Sequence, residues 1–429
     1  MIPKRKYILN KLKVLLVLPL FCAATAIGQN ATALTLDTCY KLARLNYPMI
    51  KQLDLIEKTR QYSVENASKS WLPQLNISGQ ATYQSSTITI PFDIPHVTFP
   101  TYSRDQYKIY GEVDQNICDA GAVQNQKLQQ NADAMVQKQN MEVTLYALKD
   151  RVDQVFFGVL LLDEQLKQNT ILEQSIQNSI DRIQAQVSNG TALKSGLAEL
   201  KAEFQAQEQV SIQYKANKKA YLQMLGLLIN RSLDTSIQLI KPQPAILSDV
   251  IKRPELTYYD AQKVNYNVQD RILNSNNLPK LSAFFQGGYG RPGLNLLSND
   301  FSFYYIGGLR LSWQLGGFYT AHNSREILDI DRKELDLQKE TFVLNTNIQM
   351  KQQNGTISQL NEMILKDDEI IANRAEVTAS SKQQMENGTF TVHDYIGELD
   401  LENQARQNKN LHDIQLLQAL YNYQNTTGN

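Results

Sequence analysis

The sequence predicts a mixed α and β fold in which one unit, a strand hairpin followed by a very long helical hairpin, occurs twice. Three observations carry that reading. Landmarks recur in the same order about two hundred residues apart, short segments alternate apolar and polar residues with period two, and much longer segments space their apolar residues by three and four.

The duplication comes first because it organises the rest. Asn46-Tyr47-Pro48-Met49 is answered by Arg253-Pro254-Glu255-Leu256, and Trp71-Leu72-Pro73-Gln74-Leu75 by Asn277-Leu278-Pro279-Lys280-Leu281, both at a spacing of 206 residues. Gln115-Asn116-Ile117 ahead of Gly121 is answered by Trp313-Gln314-Leu315 ahead of Gly316-Gly317. The tripeptides Asn189-Gly190-Thr191 and Asn387-Gly388-Thr389 lie 198 residues apart. Shared order at nearly constant spacing is the mark of a repeat. The first repeat is placed at 29–228, the second at 253–429, and the stretch 229–252, with Pro242 and Pro244, reads as the linker.

Each repeat offers one strand hairpin. Residues 75–84 put Leu75, Ile77, Ala81 and Tyr83 opposite Asn76, Ser78, Gln80 and Thr82. Residues 107–117 set Tyr107, Ile109 and Val113 against Lys108, Glu112 and Asp114. The second pair, at 281–289 and 301–315, sets Phe301, Phe303, Tyr305, Leu309 and Trp313 against Ser302, Tyr304 and Arg310, although Phe284 interrupts the polar side. Period two is the pattern of a strand with two unlike faces. Pro73 and Pro279 precede the hairpins and push their predecessors out of helical geometry.

Beyond the hairpins the period changes to that of a helix. Leu145, Leu148, Val152, Val155, Val159, Leu162 and Leu166 keep a strict three-four spacing, and Ile176, Ile180, Ile183 and Val187 resume it after polar Asn169 and Glu173. No proline interrupts 120–187 or 319–386, so each is expected to be one helix of about 100 Å. Asn-Gly at 189–190 and 387–388 then ends each helix and turns the chain, giving tips at 188–191 and 387–390.

The strand faces admit two readings. In a soluble sheet, as part of a periplasmic or secreted coiled-coil scaffold protein, Lys108, Glu112, Asp114 and Arg310 would face solvent while helices covered the aromatic side. In a transmembrane barrel the aromatic side would meet lipid and those charges would line water, with strands of about 9–11 residues. Trp71 and Trp313 sit at the helix-proximal ends of the first and last strands, while Phe301, Phe303 and Tyr289 sit at the far ends. Two interfacial aromatic belts would account for that placement, as would the general preference of aromatics for strands. Four strands cannot close a barrel, so a barrel would have to be shared between chains.

The first thirty residues favour export. Lys4, Arg5, Lys6, Lys11 and Lys13 precede the apolar run 14–26 and then polar Gln29 and Asn30, the layout of a signal peptide over 1–28, with cleavage after Ala26 or Gly28. Cys22 suggests a lipid anchor, but Phe21 before it makes a poor lipobox. Lys plus Arg and Asp plus Glu both total 43, so no charge excess draws the chain to nucleic acid. His96, His322, His393 and His412 show no metal-ligand spacing, and no nucleophile elbow or phosphate loop is present, so neither an enzyme nor a cofactor is expected. A third Asn-Gly-Thr, at 354–356, falls inside the second long helix and is no third tip. Gly287-Gly288 and Gly307-Gly308 read as sites of strand curvature or close contact.

Together these residues resemble the TolC-like outer-membrane efflux protein family. Arg253-Pro254-Glu255-Leu256 is similar to that family's Arg-Pro-Glu-Leu helix start, and Leu72-Pro73-Gln74-Leu75 and Leu278-Pro279-Lys280-Leu281 to its Leu-Pro-x-Leu strand start. Trp313-Gln314-Leu315-Gly316-Gly317 resembles its passage from strand into long helix. The resemblance implies a mixed α and β membrane protein, a homotrimer whose twelve shared strands form an outer-membrane barrel above an α-helical periplasmic tunnel. It implies a passive exit duct of a tripartite efflux or type I secretion system, reached by an inner-membrane pump through a periplasmic adaptor. Asn189, Gly190, Thr191, Asn387, Gly388 and Thr389 would be the adaptor-docking tips. Asp394, six residues after Gly388, matches the place of a tunnel-constricting acidic residue, where the first repeat has Gly196. Met385 and Phe390 flank the second tip, without the charged or tyrosyl residues that some members use in closing the tunnel.

Overall fold

The computed structural model describes residues 33–87, 102–295 and 298–429. The signal peptide 1–28, Cys22 and His96 lie outside the described residues. The chain runs α1 (Leu36–Asn46), α2 (Lys51–Lys69), β1 (Gln74–Tyr83), β2 (Asp105–Cys118), α3 (Ala122–Tyr146), α4 (Leu148–Ser188), α5 (Lys194–Ile229), α6 (Pro254–Asn276), β3 (Lys280–Arg291), β4 (Ser302–Ser312), α7 (Gly317–Glu386) and α8 (Val392–Thr427). No helix among the described residues is long and apolar enough to cross a membrane.

The strands form one antiparallel sheet in the order β1-β2-β3-β4. Its register stacks Leu75, Val113, Phe285 and Gly307 on one face and Lys108, Gln80 and Gly290 on the other, so the period-two faces of the separate strands coincide across the sheet. The glycine pairs make room for aromatics. Phe284 lies across Gly308 and Phe285 across Gly307, while a Cβ at Gly288 would meet both Tyr304 and the Ile109 carbonyl oxygen at 2.8 Å or less. Phe284, which broke the polar alternation, thus fills space left by a facing glycine. Strand β4 runs only from Ser302 to Ser312, shorter than the expected 301–315, so Phe301, Trp313 and Leu315 lie outside it.

One expectation about the helices fails. The single helix expected over 120–187 is two helices, interrupted at Ala147, whereas its counterpart α7 runs unbroken for 70 residues. No proline lies there; the cause is a change of partner in mid-seam. Met141, Leu145 and Leu148 pack with Tyr47, Ile50 and Leu53, whereas Val152, Val155 and Val159 join a core with residues of α1, α5 and α8. The first of the two also begins later than expected. Asp119 receives the Gly121 N–H at 2.9 Å and the Val123 N–H at 2.7 Å, and Ala120 and Gly121 both take left-handed φ, 56° and 80°.

Helices α4 and α5 form one hairpin and α7 and α8 the other, and α4 packs against α8 between them. Nearer the sheet, α3 lies between α2 and α6, and α6 contacts α7. The stretch after α5 is more than a spacer: Leu34 and Leu239 form a parallel bridge there, with the Leu34 N–H donating to the Gln238 carbonyl at 3.1 Å. The first described residues therefore meet the middle of the chain here, and at the other end of the same stretch the Lys252 N–H donates to the Thr427 carbonyl at 2.6 Å.

Candidate functional site

Three places hold the side chains that the sequence singles out: the polar face of the sheet, the tips of the helical hairpins, and the junction at mid-height. On the sheet, Lys108, Glu112, Asp114 and Arg310 share one face. Arg310 on β4 spans β3 to reach β2, donating to Glu112 at 3.0 Å and Asp114 at 2.9 Å, with its guanidinium 4.5 Å from the Phe284 ring centre. One cation thus sits between two carboxylates over an aromatic plate, which holds it in place.

The opposite face is bare. Ile77 is 77%, Phe303 86% and Tyr305 74% exposed, and both Trp71 and Trp313 are open to solvent. Trp313 donates its Nε1–H to the Asn277 carbonyl at 3.0 Å, fixing the ring beside the helix junction. At the far end Phe301 stacks on Tyr107 and Tyr289, and Arg291 lies over Phe301 at 5.2 Å. Aromatics thus stand at both ends of the sheet, and Phe285 stacked on Tyr305 at 6.1 Å adds a pair between them.

The two tips have the same backbone. Gly190 and Gly388 take φ of 74° and 76°, while Asn189 and Asn387 stay near −88°, so glycine alone supplies the left-handed residue. At the first tip the Thr191 N–H donates to the Gln186 carbonyl at 2.9 Å and the Gly190 N–H to Val187 at 3.1 Å; at the second, Thr389 bonds Gln384 and Gly388 bonds Met385 at 2.9 and 3.0 Å. This is the Schellman closure, in which two otherwise orphaned carbonyls are satisfied. Asn354-Gly355-Thr356 has the same sequence but stays within α7.

Past the turn, where the next helix begins, the two tips differ. Thr391 caps α8: its hydroxyl accepts the Asp394 N–H at 3.1 Å and donates to the Asp394 carboxylate at 2.5 Å. Asp394 is exposed and tied to its own helix start. Helix α5 has no side-chain cap at Leu193, and Gly196 in the corresponding place lets Val392 approach, so that a Cβ there would meet it at 2.8 Å.

Beneath the turns both hairpins share one apolar core, which includes Ile176, Ile183, Leu200, Met385 and a fully buried Tyr395, with Phe390 packed against it. Met385 and Phe390 therefore bind the tips together by packing. Polar ties reinforce this: Arg182 pairs with Glu386, Gln186 donates to the Glu386 carbonyl at 2.9 Å, and His393 meets Glu199 at 2.7 Å. The Glu199 bond, with its charge, holds His393 above the usual histidine range. Burial, and then the charge of Glu203, push the Asp400 carboxyl up to about 6. A groove of about 450 Å³ opens among these residues, lined by Thr191, Leu193, Glu199, Asn387, Phe390 and His393.

The sequence reading missed the junction at mid-height. Asp153 on α4 is fully buried, receiving the Tyr40 hydroxyl from α1 and the Asn425 side-chain amide from α8 at 2.6 Å. Burial pushes its carboxyl up to about 7, against the lowering effect of those two bonds. Arg253 pairs with Glu255, lies 4.8 Å over the Tyr146 ring and donates to the Asn425 carbonyl at 3.1 Å. The Arg-Pro-Glu-Leu motif thus docks the second repeat onto the chain's last helix. Asp153 could have been found from its position: it shares a helical face with Phe156, Phe157 and Leu160.

A model of the outer membrane efflux protein family matches residues 39–231. No curated protein sequence matches the chain. Among solved structures, the fold is similar to that of CusC, at a TM-score of 0.66 and 13% identity over 92% of both chains. It is also similar to the outer membrane channel CmeC of Campylobacter jejuni, at 0.63 and 14% over 92% of this chain and 85% of that one. The open state of the MtrE outer membrane channel of Neisseria gonorrhoeae matches at 0.63 and 12%, over 92% and 88%.

Proposed function

From the chain's place in the TolC-like outer membrane efflux protein family, matched over residues 39–231 and extended by the fold to nearly the whole chain, we propose that it is a passive exit duct. Three copies contribute four strands each to a twelve-stranded barrel in the outer membrane, and their helices form a tunnel through the periplasm. The repeats, 29–228 and 253–429, supply two hairpins per chain. Lys108, Glu112, Asp114 and Arg310 line the barrel lumen. Trp71 and Trp313 mark the periplasmic lipid interface, and Phe301 and Phe303 the outer one. Asn189-Gly190-Thr191 and Asn387-Gly388-Thr389 dock a periplasmic adaptor, six tips per trimer, and through it an inner-membrane pump or secretion transporter supplies the energy. Three copies of Asp394 form an anionic ring at the constriction. The duct carries out no covalent chemistry and needs no cofactor.

The observation that carries this reading is the sheet. Its strands of 10, 14, 12 and 11 residues are long enough to span a bilayer. Its outer strands, β1 and β4, each have one unpaired edge among the described residues, and one face is mostly apolar and largely exposed. Such a sheet in water would be an aggregation site, whereas closure with other copies in lipid satisfies both edges and face. Fractionation followed by light scattering of the detergent-purified protein tests it. Recovery from the outer membrane only with detergent, as particles of three chains, is expected; a soluble periplasmic monomer or dimer would overturn the proposal.

A further inference from the structure

Helix α1 has only 11 residues, too few for a helix to hold itself together in water, so its place depends on what it touches. It packs on α4 and α5, placing Leu36, Cys39 and Ala43 in a core that includes Val152, Phe156, Leu225 and Ile229. Polar ties add to this. Arg44 donates to Glu142 at 2.7 Å at the surface, Asn46 donates to the Ile229 carbonyl at 3.0 Å, and the Tyr40 hydroxyl donates to Asp153. The last of these ends on a fully buried carboxyl.

The surroundings of that carboxyl suit a neutral group better than a charged one. Its neighbours along α4, Val152, Val155, Phe156 and Phe157, are all buried, and its two donors, the Tyr40 hydroxyl and the Asn425 amide, are uncharged. The titratable and charged groups of the junction are Asp37 and Tyr40 on α1, Tyr146 on α3, Lys149 and Asp150 on α4, Tyr421 on α8 and Arg253 ahead of α6. Helix α5 brings apolar Leu222, Leu225 and Ile229, and beyond its end Arg231 acts on Cys39. The cations nearest Asp153 are engaged elsewhere: Lys149 lies 5.6 Å over the Tyr40 ring and 4.8 Å over the Tyr146 ring, and Arg253 pairs with Glu255. Asp150 adds a second negative charge. An ionised Asp153 is therefore a charge with neutral partners in a dry place, and it gains hydration when α1 lifts and water enters.

We propose that α1 is a proton-controlled clasp, seated on α4 and α5 while Asp153 holds a proton and released as a unit when that proton passes to water. The carboxyl ionises near 3.8 when open to solvent and is pushed up to about 7 by burial with α1 seated. The seated form therefore has its full advantage below about pH 4 and loses it as pH rises to about 7. Release uncovers the fully buried Cys39 and frees the bridge between Leu34 and Leu239, so the proton decides whether the start of the chain is joined to the stretch after α5. The hairpin tips have a separate core and take no part.

Maleimide labelling of Cys39 in the detergent-purified full-length mature protein reads the clasp, with the exposed Cys118 replaced by serine. Dividing each rate by that of the unfolded chain at the same pH removes the titration of the thiol itself. The normalised rate is expected to rise about tenfold or more between pH 5 and 8; a flat profile would overturn the proposal. Asp153→Asn has no proton to lose and is expected to flatten the rise, and an unchanged rise in that variant would equally overturn it. Lys149→Met keeps the carboxyl and removes a cation that favours its ionised form, so the rise is expected to extend to higher pH; a shift to lower pH would contradict the mechanism. Hydrogen exchange, normalised in the same way, separates a local clasp from a weakening of the whole bundle. Amides in 36–46 are expected to lose protection as pH rises while those in 176–183 keep theirs, and equal losses in both would overturn the clasp.

Discussion

Replacing Asp153 with asparagine should change how stability depends on pH. The carboxyl is fully buried and accepts from Tyr40 and from Asn425, and burial pushes it from 3.8 up to about 7. A raised carboxyl binds its proton more tightly in the folded than in the unfolded chain, so folding is favoured where the folded group is protonated. The contribution of this carboxyl to stability should therefore be full below about pH 4, fall as pH rises from about 4 to about 7, and be lost above. Each tenfold change in proton affinity is worth about 1.4 kcal/mol, so the full swing is about 4 kcal/mol, an upper bound because interiors respond more softly than a uniform low dielectric. Nearby Lys149, itself held below the usual lysine range by burial, offsets part of it. The variant has no such proton to gain, so its thermal midpoint should vary less than wild type between pH 5 and 8. Parallel curves for the two proteins would refute the reasoning.

The tips and the interior copy of Asn-Gly-Thr make a matched set: Gly388→Ala, at φ 76°, should cost about 1–2 kcal/mol, whereas Gly355→Ala, helical with open space around it, should stabilise by about 0.5–1 kcal/mol in the same melts. Histidine exchange followed by mass spectrometry should place the His393 midpoint above the usual value and return it toward that value in Glu199→Gln; the tie is at full strength below the ordinary histidine pKa and is lost as pH rises through the raised one. Arg310→Gln leaves Glu112 and Asp114 without their cation, so reversal potentials should shift toward stronger cation preference. Asp394→Asn should weaken that preference and, by loosening the bond with Thr391, cost about 0.5–1 kcal/mol at the start of α8.

Much of this architecture was legible because the physics was local. Period-two stretches such as 75–84 needed only their own alternation to be read as strands, and the faces then fell into register across the sheet. The turn at Asn189-Gly190 was legible because one residue had to take positive φ, although asparagine next to it did not. Asn354-Gly355-Thr356 shows the limit: the same three residues stay helical where α8 covers the neighbouring turns. The interruption at Ala147 could not be read from spacing, since Leu145 and Leu148 keep the seam while the helix beneath them changes partners. The same holds for Asp153, whose companions Tyr40 and Asn425 lie 113 and 272 residues away.

The most direct test of the account is single-channel recording of the detergent-purified wild-type protein in a planar bilayer. It predicts discrete, cation-preferring channels from particles of three chains. Failure of such particles to insert, or recovery of a soluble monomer in their place, would contradict it.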